Sequence, residues 1–208
     1  MATTTTHYGF DIPQSTELVK DGATAIATLG QDIDTAMNTA LGTKKAGMVL
    51  LNTTSFSGVA SQSVNDVFSS TYQNYKIVMD LAGSTNYAFT MRLRVAGADN
   101  STANYHLQFG LDNGAVASAG RTSSATSWTL DGAATNDRMQ YIMDITNPFA
   151  STFTGALSNG NLLYSNGAGI KNISTAHAFG LTTSFTGYSL IASAGNITGS
   201  VSTFGYNV

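Results

Sequence analysis

The sequence predicts a mainly β protein: an antiparallel, jelly-roll-like β-sandwich preceded by a short N-terminal α-helix. Three observations predict it. Between Val19 and Leu41 apolar residues recur in steps of three and four, the spacing of one helix face. From Ala46 onward the period falls to two, and turn residues separate the alternating runs. Charged residues make up only 10% of the 208, while 21 glycines and many serines, threonines and asparagines take their place. That composition suits short strands, tight turns and surfaces covered in an assembly, where unpaired charge is costly.

Residues 1–13 are polar, then aromatic, and close at Pro13. The stretch is too short to build a core and is expected to be disordered or docked on a partner. Residues 14–45 are expected to form a helical oligomerisation stalk. Pro13 with Ser15 or Thr16 makes a helix start, and Glu17 complements the dipole in the first turn. Val19, Gly22, Ile26, Leu29, Ile33, Ala36 and Ala40 fall at alternating a and d positions, and Met37 and Leu41 widen the stripe. Gly22 and Gly30 each cost about 1 kcal/mol against alanine in a helix interior. They either allow close helix approach or divide the segment. Leu41-Gly42 is a C-terminal stop, with Lys44 and Lys45 near the negative helix end. A lone helix this short is marginal in water. Its apolar stripe is covered either by copies of the chain or by the chain's own β region, and self-association is the favoured reading.

Residues 46–208 are expected to form the β head. Tyr75, Ile77, Met79 and Leu81 alternate with Lys76, Val78 and Asp80. The same pattern holds for Tyr87 to Val95 and for Met139 to Ile145, as in strands with one buried face. Further strands are expected at 47–53, 64–68, 103–109, 127–131, 152–157, 170–180, 187–192 and 197–206. Turn chemistry separates them at Gly83-Ser84, Gly97 to Asn100, Asp112-Asn113-Gly114, Asp131-Gly132, Asn147-Pro148 and Asn159-Gly160. Many short strands without intervening helices make a two-layer β fold. No repeat of fixed period is present to suggest a solenoid or propeller.

Several function classes are disfavoured. Nine Lys and Arg against a net charge of -3 leave no basic field for nucleic acid. With zero cysteines there is no disulfide, thiolate metal site or thiol nucleophile. No apolar run is long enough to insert in a membrane, and the N-terminus lacks the pattern of a secretory signal. His7, His106 and His177 lie far apart and share no metal-ligand spacing. The aspartates are scattered through turns; Asp80 and Asp144 could pair only through the fold, and no glycosidase-type acid pair is marked. There is no G-x-S-x-G elbow and no phosphate loop. The expectation is no catalysis, no cofactor and no metal. What remains is recognition. Arg121 and Trp128 flank a run of serine and threonine and are the candidate ligand contacts, although core packing is the favoured reading for Trp128.

Both ends of the chain resemble a known group. Tyr8-Gly9-Phe10-Asp11-Ile12-Pro13, then Leu18 to Ala23, Ile26, Leu29-Gly30 and Ile33-Asp34, resemble an N-terminal module of tailed-bacteriophage virion proteins of the minor tail or tail-fibre type. Phe68 to Tyr75, Met91 to Arg94, Gly97 to Asn100 and Ile197 to Tyr206 are similar to the β head attached to that module. The resemblance implies a homotrimer on the virion surface, assembled in the host cytoplasm and released with the particle. It implies virion attachment through Tyr8, Gly9, Phe10, Asp11, Ile12 and Pro13. It further implies a helical stalk carried by Val19, Ile26, Leu29, Ile33 and Met37, and a head that contacts the host surface through a glycan or protein receptor. The alternative is a capsid-bound head fibre or decoration protein with a structural role. A polysaccharide depolymerase ranks third.

Overall fold

The computed structural model describes residues 3–6, 8–12, 19–41, 47–112, 114, 116–133, 136–164 and 169–207. The chain divides into two compact units, Met1–Gly47 and Met48–Val208.

In the first unit β1 (Thr3–Thr4) pairs antiparallel with β2 (Asp11–Ile12). The segment expected to lack structure of its own is therefore a small hairpin. Local chemistry closes it: Gly9 takes a φ of 68°, its N–H donates to Thr5 O, and Phe10 N–H donates to Thr5 Oγ1 at 2.9 Å. Tyr8 and Phe10 stack with ring centroids 5.6 Å apart. Pro13, like the expected helix start at residues 14–18, lies outside the described residues. The helix α1 runs unbroken over Val19–Leu41, so Gly30 does not divide it. A β-carbon added at Gly22 or Gly30 would meet open space.

The second unit is built from antiparallel strands: β3 (Gly47–Val59), β4 (Ser61–Val64), β5 (Asn74–Gly83), β6 (Tyr87–Val95), β7 (Ala98–Asp99), β8 (Tyr105–Asp112), β9 (Ala117–Ala125), β10 (Trp128–Ala133), β11 (Arg138–Thr146), β12 (Thr154–Leu163), β13 (Ile170–Phe179), β14 (Gly187–Ala192) and β15 (Ile197–Asn207). They form an eight-stranded sheet, β3-β15-β5-β11-β12-β13-β8-β9, and a five-stranded sheet, β10-β6-β14-β4 with β7 on β6. One apolar core joins them. From the large sheet come Tyr75, Ile77, Met79 and Leu81 on β5, directly opposite Ile145, Met143, Tyr141 and Met139 on β11. From the small sheet come Met91, Leu93, Trp128, Leu130, Tyr188 and Leu190. Each such side chain, fully buried, contributes roughly 1.5–3 kcal/mol. Hydrogen bonds cross between the sheets as well: Tyr188 OH lies 2.7 Å from Thr203 Oγ1, and Tyr141 OH donates to Leu130 O.

Some strand and turn expectations differ from the structure; the expected turn Gly97 to Asn100, for one, holds the short strand β7. The run 64–68 is not a strand, because Asp66 takes a left-handed φ of 54° and ends the extended chain after β4. Phe68 still reaches the core and packs edge-on against Tyr75. Asn159-Gly160 is not a turn but the middle of β12. Gly160 is there because the Tyr141 ring occupies its β-carbon space, 2.2 Å from Cδ2. Asp131-Gly132 is likewise inside β10. A register shift between Thr129 and Asp131 turns the carboxylate to Lys171 Nζ at 2.7 Å, a partly buried ion pair that joins a strand of each sheet.

Candidate functional site

The candidate ligand contacts Arg121 and Trp128 are not brought together. Trp128 is fully buried, its Nε1 donating to Ala178 O at 3.0 Å and its ring edge-on to Tyr105 at 5.6 Å. It is a core residue and cannot touch a surface ligand; the alternation Trp128, Leu130 places it on the inner face of the small sheet. Of the two readings of Trp128, core packing holds and ligand contact does not. Arg121 is exposed on the edge strand β9, opposite Gln108 of β8.

Gln108 opens onto a shallow trough of about 520 Å³ on the outer face of the large sheet. Gly110, Ser174 and Ala176 keep its floor low, and Leu157 and Asn159 border it. Register aligns these residues across β12, β13 and β8: Leu157 opposite Ala176 opposite Gln108, and Asn159 opposite Ser174 opposite Gly110. The outer face carries amide, hydroxyl and small apolar groups here, and two of its acids elsewhere are paired with cations. Asp144 pairs with Lys76 at 3.1 Å and Asp80 with Arg138 at 2.6 Å. Each carboxylate has its own cation, and the register sets the two four residues apart along the paired strands.

The better-defined concavity, about 490 Å³, lies between the segment before β5 and the segment after β11. Ser69, Ser70, Tyr72 and Gln73 line one wall; Asn147, Phe149, Ala150 and Thr152 line the other. Both walls are fixed from behind. Phe68 N–H donates to Thr186 O, and Tyr75 OH bonds both Ser69 N–H and Ser69 O at 2.8 Å. Phe185 N–H donates to Pro148 O at 2.8 Å, and Ser184 Oγ donates to Phe149 O. The Tyr72 ring rests on Gly205, where a β-carbon would sit 2.5 Å from Cγ, so only glycine lets the ring lie there. The walls join through an amide pair: Gln73 Nε2 donates to Asn147 Oδ1 at 3.0 Å, and Asn147 N–H donates to Gln73 O. Asn147 holds a left-handed φ of 55°, which asparagine tolerates. From sequence, residues 68–75 stood out only for the family resemblance and Asn147-Pro148 only as a turn; none was named as a ligand contact.

One arrangement looks catalytic by distance. Ser158 Oγ lies 2.8 Å from His177 Nε2 and 2.8 Å from Tyr141 OH. It is buried in the core, with Trp128 over the imidazole at 5.3 Å and no hydrogen-bond partner on Nδ1. Burial lowers the His177 pKa to about 4, so the ring is neutral at pH 7. No carboxylate orients Nδ1, and a substrate could not reach the hydroxyl without opening the sandwich; the group is core hydrogen bonding. His106 sits on the neighbouring strand but one residue out of phase, opposite Ala178, and so on the other face. His7 lies outside the described residues. Among the described residues no three His, Asp or Glu side chains gather as a metal site, and no helix is long and apolar enough to cross a membrane.

For the other expected sites, Tyr8 to Ile12 fall in and beside the N-terminal hairpin, with Tyr8 and Ile12 exposed. Val19 opens α1, while Ile26, Ile33 and Met37 are 65%, 39% and 55% exposed and Leu29 is half-buried. No protein-family model and no curated protein matches the chain.

Proposed function

We propose that the protein is a non-enzymatic subunit of a bacteriophage particle surface, with a self-associating helical stalk and a β head that contacts the host. The observation that carries this reading is the helix. Its apolar residues Ile26, Ile33 and Met37 stand in water in the single chain, and no second helix exists among the described residues to cover them. A stripe of this kind is covered by association, and closed rings of copies are the common solution. We take the state to be a trimer, as the resemblance to tail-fibre proteins implies. The head is read as jelly-roll-like because the chain passes repeatedly from one sheet to the other. Its outward surfaces offer amides, hydroxyls and aromatic rings, a chemistry of recognition.

Tail location with host adsorption is the first reading. Capsid decoration is the second, favoured by the broad outer face of the eight-stranded sheet, where Asp80 and Asp144 are each paired with a cation. Gold-labelled antibody against the protein, imaged on intact particles, separates them: few copies at the tail tip or many on the head. Unlabelled particles would overturn the virion assignment altogether. Incubation of the purified protein with host envelope is expected to release no reducing sugar; release would make it a depolymerase.

A further inference from the structure

We infer that the cleft between residues 69–73 and 147–152 is a binding site for an uncharged saccharide. The inference rests on reading the head as a contact surface, and it names the chemistry of the contact. None of the eight lining residues carries a charge, which disfavours phosphate, sulfate, acidic sugars and nucleotides, all of which need a cation or a helix terminus to offset their charge. The lining is also too polar for a purely apolar ligand, since Ser69, Ser70, Gln73, Asn147 and Thr152 alternate with Tyr72, Phe149 and Ala150. Hydroxyl and amide groups around an aromatic ring suit a molecule with many hydroxyls on one edge and C–H groups on one face. A pyranose is such a molecule.

The amide pair sets the polar contact. With Gln73 Nε2 bonded to Asn147 Oδ1, Gln73 Oε1 and Asn147 Nδ2 have no protein partner. The pair as a unit presents one free acceptor and one free donor group, and this stays true if both amides are assigned the other way round. Vicinal hydroxyls of a sugar, each able to donate and accept, satisfy both. Tyr72 supplies the stacking surface: Gly205 backs one part of its ring, it meets Tyr75 edge-on at 6.0 Å, and it remains half-buried on the cleft wall. The walls are pinned to residues 184–186 behind them, so binding orders little that is mobile. A volume of about 490 Å³ admits a mono- or disaccharide and leaves the rest of a longer glycan in water.

The experiment is saturation-transfer NMR on the full-length protein with the methyl glycosides of glucose, galactose and N-acetylglucosamine, and with N-acetylneuraminic acid as the acidic probe. At least one neutral glycoside is expected to bind, with affinity unchanged between low and high salt. Asn147→Gly keeps the left-handed backbone while deleting the amide, and is expected to weaken binding about tenfold. Gln73→Ala, at an exposed side chain, is expected to do the same and keeps the test open if the first variant fails to fold. Gln140→Ala, exposed on the outer face of β11 and away from the cleft lining, is expected to bind as the unaltered protein does. No neutral glycoside bound, preference for the acidic sugar, or full binding by both cleft variants would overturn the inference. These results are independent of gold labelling on particles: labelled particles with an inert cleft would leave the virion reading standing and remove this one.

Discussion

At the residue scale the head is decided by which side of each strand a side chain occupies. Trp128 was ambiguous in the sequence because its neighbours are serine and threonine, while its own alternation with Leu130 points inward. The structure resolves it through the indole N–H, which finds Ala178 O inside the core. A buried tryptophan needs such a partner, and only the opposing sheet could provide it. The amide pair Gln73–Asn147 could not have been read at all, since 74 residues separate its members. Gly160 and His177 give testable consequences. Alanine at Gly160 would press into the buried Tyr141 ring and is expected to destabilise the head by roughly 1–3 kcal/mol in denaturant unfolding. His177 makes stability depend on acid. In the unfolded chain it takes a proton near its ordinary value of 6.5, but in the folded head not until about 4. The neutral ring's contribution is therefore whole above pH 6.5 and is lost as the pH falls from there towards 4. A difference of this size corresponds to about 3 kcal/mol at most. Unfolding midpoints measured across that window should fall with pH, and less steeply in His177→Gln. An identical slope in the variant would show that other groups set the acid sensitivity.

At the element scale the strands with strong alternation, β5, β6 and β11, were legible because each buries one face and wets the other. The strand β9 was not, since Ala117 to Ala125 holds no large apolar residue. It is an edge strand with mostly exposed residues and owes its state to backbone pairing with β8. The helix α1 was legible from its stripe, but what covers the stripe is not written in it. If copies of the chain do so, Ile26→Asp together with Ile33→Asp should separate the subunits and leave the β head folded. Light scattering and near-ultraviolet circular dichroism on that variant read the two effects. An unchanged mass would show that association, if any, runs through the head.

At the scale of the whole molecule, a polar, charge-poor two-sheet head and an exposed apolar helix make sense together when several copies act as one. A single open cleft binds weakly, because it leaves much of its ligand in water. Several heads on one stalk gain by avidity wherever receptor spacing lets them engage together. Oligomerisation is thus the claim that ties the stalk to the head and gives a weak contact its avidity. The most direct measurement is the mass of the full-length protein in solution across a range of concentrations. The account predicts a species of three times the 21.6 kDa chain, persisting on dilution to micromolar protein in roughly physiological salt. A monodisperse 21.6 kDa monomer under the same conditions would contradict it.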